Sequence, residues 1–275
     1  MKFARAILKA LALAVWTGTL IPVQALAVAL RLPIEERVPM LYHRGVARIL
    51  GMKVIAIGQR VSARPALFVV NHSSWLDITV IDTLMPICFV AKREVNSWPV
   101  FGLLARLQRT VFVERRAQRT AVHKDEMTER LNAGDNLVLF PEGTSSDGNH
   151  VLPFKSAFFA LAETRVKDVP LIVQPVSVAY TAIDGLPIGR DRRPELTWFG
   201  DMELAPHLWG VLCLDRFTVT VQFHAPVTIE SFASRKELAA HCQAVVSAGL
   251  SDALSGRVQL PAPKRRLLAR RTPQP

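Results

Sequence analysis

The stretch Ala66-Leu67-Phe68-Val69-Val70-Asn71-His72-Ser73-Ser74-Trp75-Leu76-Asp77 decides how the chain is read. Five apolar residues form a buried strand. A sharp change to polar residues follows, and then the apolar pattern of Ile78 to Leu84. A buried strand that ends in histidine presents that side chain at a sheet edge, where α/β proteins place their active sites. Imidazole titrates near neutrality, so it can take and return a proton at working pH. Asp77, five positions on, suits the task of holding the ring in one tautomer and stabilising it when charged. Five residues is a poor spacing on a single helix face. The pair makes sense with His72 in the loop and Asp77 in the first turn of the next helix.

A lone His-x4-Asp is a weak signal. A second polar motif raises it: Phe140-Pro141-Glu142-Gly143-Thr144-Ser145-Ser146, behind the strand-like run Asn136-Leu137-Val138-Leu139. Pro141 and Gly143 fix a tight backbone course, and glycine lets a substrate approach the main chain closely. On the bland reading, Glu142 is a charge on an exposed turn. Backbone N–H groups of this loop would also suit an oxyanion, each worth about 3 kcal/mol of barrier.

In this order, the Asn71-His72-x4-Asp77 and Phe140-Pro141-Glu142-Gly143-Thr144 blocks resemble the glycerolipid (lysophospholipid) acyltransferase family. The resemblance runs from about Ala66 to about Tyr180. It implies that His72 and Asp77 are catalytic. It assigns Glu142, Gly143 and Thr144 to binding the acceptor and shaping the site, and Phe112-x-x-Arg115 to holding the acceptor's polar head. Guanidinium suits that task, because it grips phosphate or carboxylate with two hydrogen bonds. Lys92 and Lys155 are further candidate cations; their bland reading is solvated surface lysine. One departure matters. The family motif often continues with an arginine thought to bind an acceptor phosphate, and here Ser145 follows Thr144. The segment from Ser145 to Lys155 also resembles bacterial members that acylate lyso-ornithine lipid.

The chain has 275 residues, half of them apolar, which excludes global disorder and allows a substantial core. The net charge of +11 points to a polyanionic partner: nucleic acid, an anionic membrane face or acidic carrier proteins. No nucleic-acid-binding module accompanies it, so no nucleic acid is expected. Ile7 to Leu30 is almost entirely apolar, with Lys9 its one charge, and is long enough for one membrane crossing, with Pro22 as a bend. A cleavable signal peptide is the competing reading, because Ala25-Leu26-Ala27 looks like a cleavage site. The anchor is preferred for its length, and because Cys88, Cys213 and Cys242 form no even disulfide framework. Basic residues flank the anchor on both sides, so charge does not fix its orientation. Ile34 to Leu50 reads either as an amphipathic helix in the membrane interface or as a helix packed on the domain.

Strands are expected at Met52 to Ile57, Ala66 to Val70, Ile87 to Ala91, Thr110 to Val113 and Asn136 to Phe140, with helices between several of them. That alternation gives an α/β layered fold, a mostly parallel sheet flanked by helices, with an N-terminal membrane-anchoring helix. Several strands end in polar residues: His72, Lys92, Arg115 and Glu142. In a parallel sheet these ends gather on one edge and form a cleft. Beyond them, Ser156 to Glu163 reads as a helix. Leu171 to Tyr180 reads as an edge or irregular strand because it contains Pro175. Trp198, Phe199, Leu208 and Trp209 fall in a loop-rich region and read as core packing, with contact to lipid at the interface as the alternative. Phe217 to Phe223 reads as a strand with one covered face, and Ser234 to Leu254 as a helix capped by Ser234. The division is 1–50 anchor and interfacial helix, 51–258 acyltransferase domain, and 259–275 basic disordered tail. The seven histidines lack zinc-helix spacing, and no Walker or dinucleotide glycine motif occurs, so no metal or bound cofactor is expected.

The expected function is acyl transfer from acyl-CoA or acyl carrier protein to the hydroxyl of a lyso-lipid, at the cytoplasmic face of the inner membrane. The first-choice acceptor is 1-acylglycerol-3-phosphate, with lyso-ornithine lipid as the alternative. Two other classes stay open: a serine hydrolase using Ser73 or Ser74, which lacks a Gly-x-Ser-x-Gly elbow, and a non-catalytic lipid-binding protein.

Overall fold

The computed structural model describes residues 2–113 and 120–258. The elements run α1 (Lys2–Ala29), α2 (Arg37–Leu50), β1 (Met52–Ile57), β2 (Ala66–Val70), α3 (Leu76–Asp82), β3 (Cys88–Lys92), α4 (Phe101–Leu107), β4 (Val111–Val113), α5 (Thr120–Asn132) and β5 (Leu137–Leu139). After them come the short β6 (Arg165–Val166) and β7 (Val169–Pro170), β8 (Ile172–Ile183), β9 (Leu186–Pro187), α6 (Leu204–Cys213), β10 (Phe217–Phe223) and α7 (Arg235–Leu254). Ser156–Glu163 is helical but of the tighter 3-10 type. The basic tail 259–275 lies outside the described residues.

One sheet organises the molecule, in the order β1-β10-β8-β2-β5-β3-β4, with β9 beside β8. β2 pairs in parallel with β5 and β8, and β3 in parallel with β5 and β4. β10 and β9 pair antiparallel with β8, and β1 runs parallel to β10. All five residues of β2 are buried, as a strand covered on both faces requires. Ala66, Phe68 and Val70 join a core with α2 and α3. Leu67 and Val69 join a second core with α7. β10 keeps the expected core face in Phe217, Val219, Val221 and Phe223, while on its other face Thr218 and Gln222 are half-buried and Thr220 is buried.

β8 is central rather than at an edge, between β10 and β2. Pro175 sits inside it because a side chain replaces the missing donor. The His224 N–H donates to the Pro175 carbonyl at 3.0 Å. Proline has no N–H to return that bond. The Gln174 side-chain amide donates to the His224 carbonyl instead, at 2.8 Å.

The loop-rich region around Leu208 contains a helix, α6, whose Leu208 packs on the core. α2 takes the packed alternative: Val38, His43, Val46, Ala47 and Leu50 are buried. α7 starts at Ser234 as expected, with the Ser234 hydroxyl accepting from the Glu237 N–H at 3.3 Å. All three cysteines are free.

α1 is long and apolar enough to cross a membrane. Several of its polar groups reach the body. Lys9 Nζ donates to the carbonyls of Leu50 and Leu214 at 2.7 and 2.8 Å. Trp16 Nε1 donates to the Tyr42 carbonyl at 3.0 Å, and Gln24 Nε2 to the Leu107 carbonyl at 2.7 Å. The Trp16 ring lies where a Cβ on Gly45 would stand, so α1 and α2 meet closely only because residue 45 is glycine.

Candidate active site

β2, β5 and β3 are parallel neighbours, so their C-terminal ends share one edge. β2 delivers His72 there and β5 delivers Glu142. His72 lies in the loop and Asp77 in the first turn of α3. His72 Nδ1 and Asp77 Oδ2 are 2.9 Å apart. The imidazole is about one-fifth exposed (22%) and the Asp77 carboxylate is fully buried. A buried carboxylate needs donors, and Asp77 has several. Its Oδ2 also accepts from the Ser73 and Ser74 amides at 2.7 and 2.9 Å, and its Oδ1 from the Tyr180 hydroxyl at 2.7 Å. With Nδ1–H directed at this anion, Nε2 is left as the proton acceptor. Phe140 stacks on the ring, with centroids 4.2 Å apart.

The second loop is tied to the first. Glu142 is buried, contrary to the exposed turn of the bland reading. One of its oxygens accepts from the His72 amide at 2.6 Å and the other from the Leu152 amide at 2.8 Å. Burial raises its pKa to about 7, against the lowering effect of those two bonds. Both oxygens are thus engaged by main chain, and the side chain shapes the loops. The Ser146 amide adds a third tie, donating to the His72 carbonyl at 2.9 Å. Gly143 adopts φ +70, and a Cβ there would stand 2.9 Å from Lys155 Nζ. The positive φ of the turn therefore favours glycine, which also leaves room for the lysine's approach. Thr144 is exposed on this turn.

The other expected site residues divide. Lys92 ends β3, half-buried, and Phe112 lies on β4 opposite Ala91. Both are further along the edge from His72, with β5 between β2 and β3. Arg115 lies outside the described residues. Neither serine serves as a nucleophile to His72 here. The Ser73 hydroxyl is buried without a partner among the described residues, and the Ser74 hydroxyl accepts from the Leu76 amide at 3.3 Å. Tyr180 was missed from sequence. Its only signal was a tyrosine in an otherwise apolar strand, whose buried hydroxyl must find some partner.

The matching proteins fit this geometry. A family model described as Acyltransferase matches residues 53–178. A lyso-ornithine lipid O-acyltransferase of Brucella abortus is 45% identical over 243 residues, covering 87% of this chain and 91% of that protein. The chain belongs to the acyltransferase family. It is an O-acyltransferase, and the serine-hydrolase and inert-binder alternatives fall away. A second similar protein, the 1-acyl-sn-glycerol-3-phosphate acyltransferase of Neisseria meningitidis, is 33% identical, covering 66% of this chain and 68% of that one. The crystal structure of the 1-acyl-sn-glycerophosphate acyltransferase PlsC from Thermotoga maritima matches with a TM-score of 0.61 at 22% identity. It covers 92% of this acyltransferase and 98% of that chain, and it shows the shared fold.

Proposed function

We propose that this acyltransferase of lyso-lipids takes lyso-ornithine lipid as its acceptor. The observation that carries the reading is similarity along nearly the whole chain to relatives of that name, 45% and 43% identical in Brucella abortus and Rhizobium meliloti. Ser145 supports it, standing where the family often has a phosphate-binding arginine. An ornithine head group carries carboxylate and ammonium and no phosphate. A 1-acylglycerol-3-phosphate acceptor is the second reading, favoured by the Neisseria meningitidis relative.

In the proposed mechanism His72 Nε2 takes the proton of the acceptor hydroxyl while Asp77 holds Nδ1–H. The alkoxide attacks the thioester carbonyl of acyl-CoA or acyl carrier protein. The C–S bond breaks, and the thiolate regains the proton from the imidazolium. Amides of the 143–146 turn face the oxyanion; Thr144 and Ser145 are the candidates, because those of Gly143 and Ser146 already bond the Phe140 and His72 carbonyls. On this reading Lys92 and Phe112 serve the acceptor's polar head, as the family resemblance implies for Phe112. Base help of this kind is worth about 10²–10⁴ in rate. The basic surface suits either acidic donor. The apolar α1 supports residence at a membrane, and we assign the cytoplasmic face of the inner membrane, where the donors are made.

The test offers purified protein a labelled acyl thioester with both acceptors. Preferential labelling of ornithine lipid supports the reading, and preferential labelling of phosphatidic acid supports the second. With His72→Ala, turnover falls about 10²–10⁴-fold. Wild-type turnover in that variant removes the base assignment.

A further inference from the structure

We propose that the turn Trp98-Pro99-Val100-Phe101, with Leu103, is a second membrane contact that seats the active-site edge on a bilayer. This goes beyond the acceptor assignment and does not depend on it.

Single exposed apolar side chains are ordinary; several close together on one turn are informative. Val100 is 62% exposed, and Trp98, Phe101 and Leu103 are each 38–39% exposed. The turn lies beside the C-terminal part of α1, where Gln24 bonds the Leu107 carbonyl of α4. Tryptophan at such a rim suits the layer between head groups and hydrocarbon.

The backbone holds the turn outward. Val100 has φ +63, a conformation that β-branched residues rarely adopt. A strained residue that keeps an apolar side chain in water calls for a function. Arg106 secures the turn from behind, donating to the Asn96 carbonyl and side-chain oxygen at 3.1 and 2.9 Å.

The turn is also wired to the site. Trp98 lies edge-on to Trp198, with centroids 6.4 Å apart. The Trp198 amide donates to the Ser73 carbonyl at 2.8 Å, next to His72. A bilayer holding this turn therefore holds the catalytic edge close to lipid. The occupant is an anionic bilayer, as the chain's net charge of +11 favours.

The test places a spin label at Val100→Cys in the full chain with Cys213→Ser, and a reference label at Leu11→Cys on the exposed side of α1. Vesicles of phosphatidylethanolamine and phosphatidylglycerol are added without acceptor. Both labels are expected to become accessible to oxygen and shielded from aqueous nickel. The proposal is overturned if position 100 stays in water while position 11 enters hydrocarbon, or if position 100 is covered without vesicles, which assigns the patch to a second copy of the chain. Independently, Val100→Asp with Phe101→Asp should keep turnover of a short-chain acceptor dissolved as monomers within about twofold. Turnover of acceptor in vesicles should fall about tenfold. Equal losses in both assays would make the turn merely structural and overturn the proposal.

Discussion

Each end of α3 holds an aspartate beside a histidine, and the two pairs are opposites. At the first turn, Asp77 accepts from His72, from two amides and from Tyr180. At the last turn, Asp82 accepts from the Gln108 side chain at 3.1 Å, and its other oxygen has no partner among the described residues. Its histidine, His43, is 3.7 Å away and bonds the Gln108 and Thr79 side chains. Burial pushes Asp82 up to about 8 and His43 down to about 4, so both are neutral near pH 7. A His–Asp pair is thus not by itself an active site. What separates the two is the number of donors around the carboxylate and an opening for the imidazole.

The largest expected effect breaks the donor-rich pair. In Asp77→Asn, an amide NH₂ or a neutral carbonyl must face two main-chain N–H groups and the imidazole. Steady-state kcat should fall about 10²–10⁴-fold. An unchanged kcat would reduce the first pair to the status of the second. Tyr180→Phe removes one donor of the four. Hydrogen bonds to charged groups are worth about 1.5–3 kcal/mol, so denaturant unfolding should show a loss in that range, with kcat falling about tenfold or less.

The smallest effect sharpens the other side. The raised Asp82 keeps a proton that the unfolded chain loses, so its contribution makes stability fall as pH rises from about 4 to about 8. The lowered His43 acts oppositely, costing stability as pH falls from 6.5 toward about 4. Between pH 6.5 and 8 the Asp82 contribution stands nearly alone, with a slope of at most about 1.4 kcal/mol per pH unit. Glu142, raised to about 7, adds to it only at the lower end. Thermal unfolding across that window should fall for the wild type and flatten for Asp82→Asn, with activity within about twofold. Parallel curves would show that Asp82 is not the titrating group.

This contrast marks what was legible in the sequence. Strands ending in His72, Lys92 and Glu142 were readable because a run buried on both faces and its polar stop are adjacent in the chain. So was the His72–Asp77 contact, which spans five residues. The donors that complete it were not. Tyr180 is 103 positions from Asp77, and only the β2–β8 pairing brings it in. Pro175 misled for a related reason, since local rules place proline at edges and the compensating Gln174 amide acts across strands. Helix α6 was hidden by tryptophans and short apolar runs without a clear period. The burial of Glu142 followed from loop closure onto His72, which no spacing encodes.

Lys9 has a further consequence, for synthesis. It grips the carbonyl of Leu214, 205 positions later. During translation this helix must therefore wait for nearly the whole chain before its lysine finds that partner. Through that interval α2 can cover part of it, and the rest of its greasy flank stays open. Early capture by lipid or by a chaperone would guard the newborn chain against clumping. Removing residues 1–30 should thus harm yield during expression more than it harms the chemistry of whatever folds.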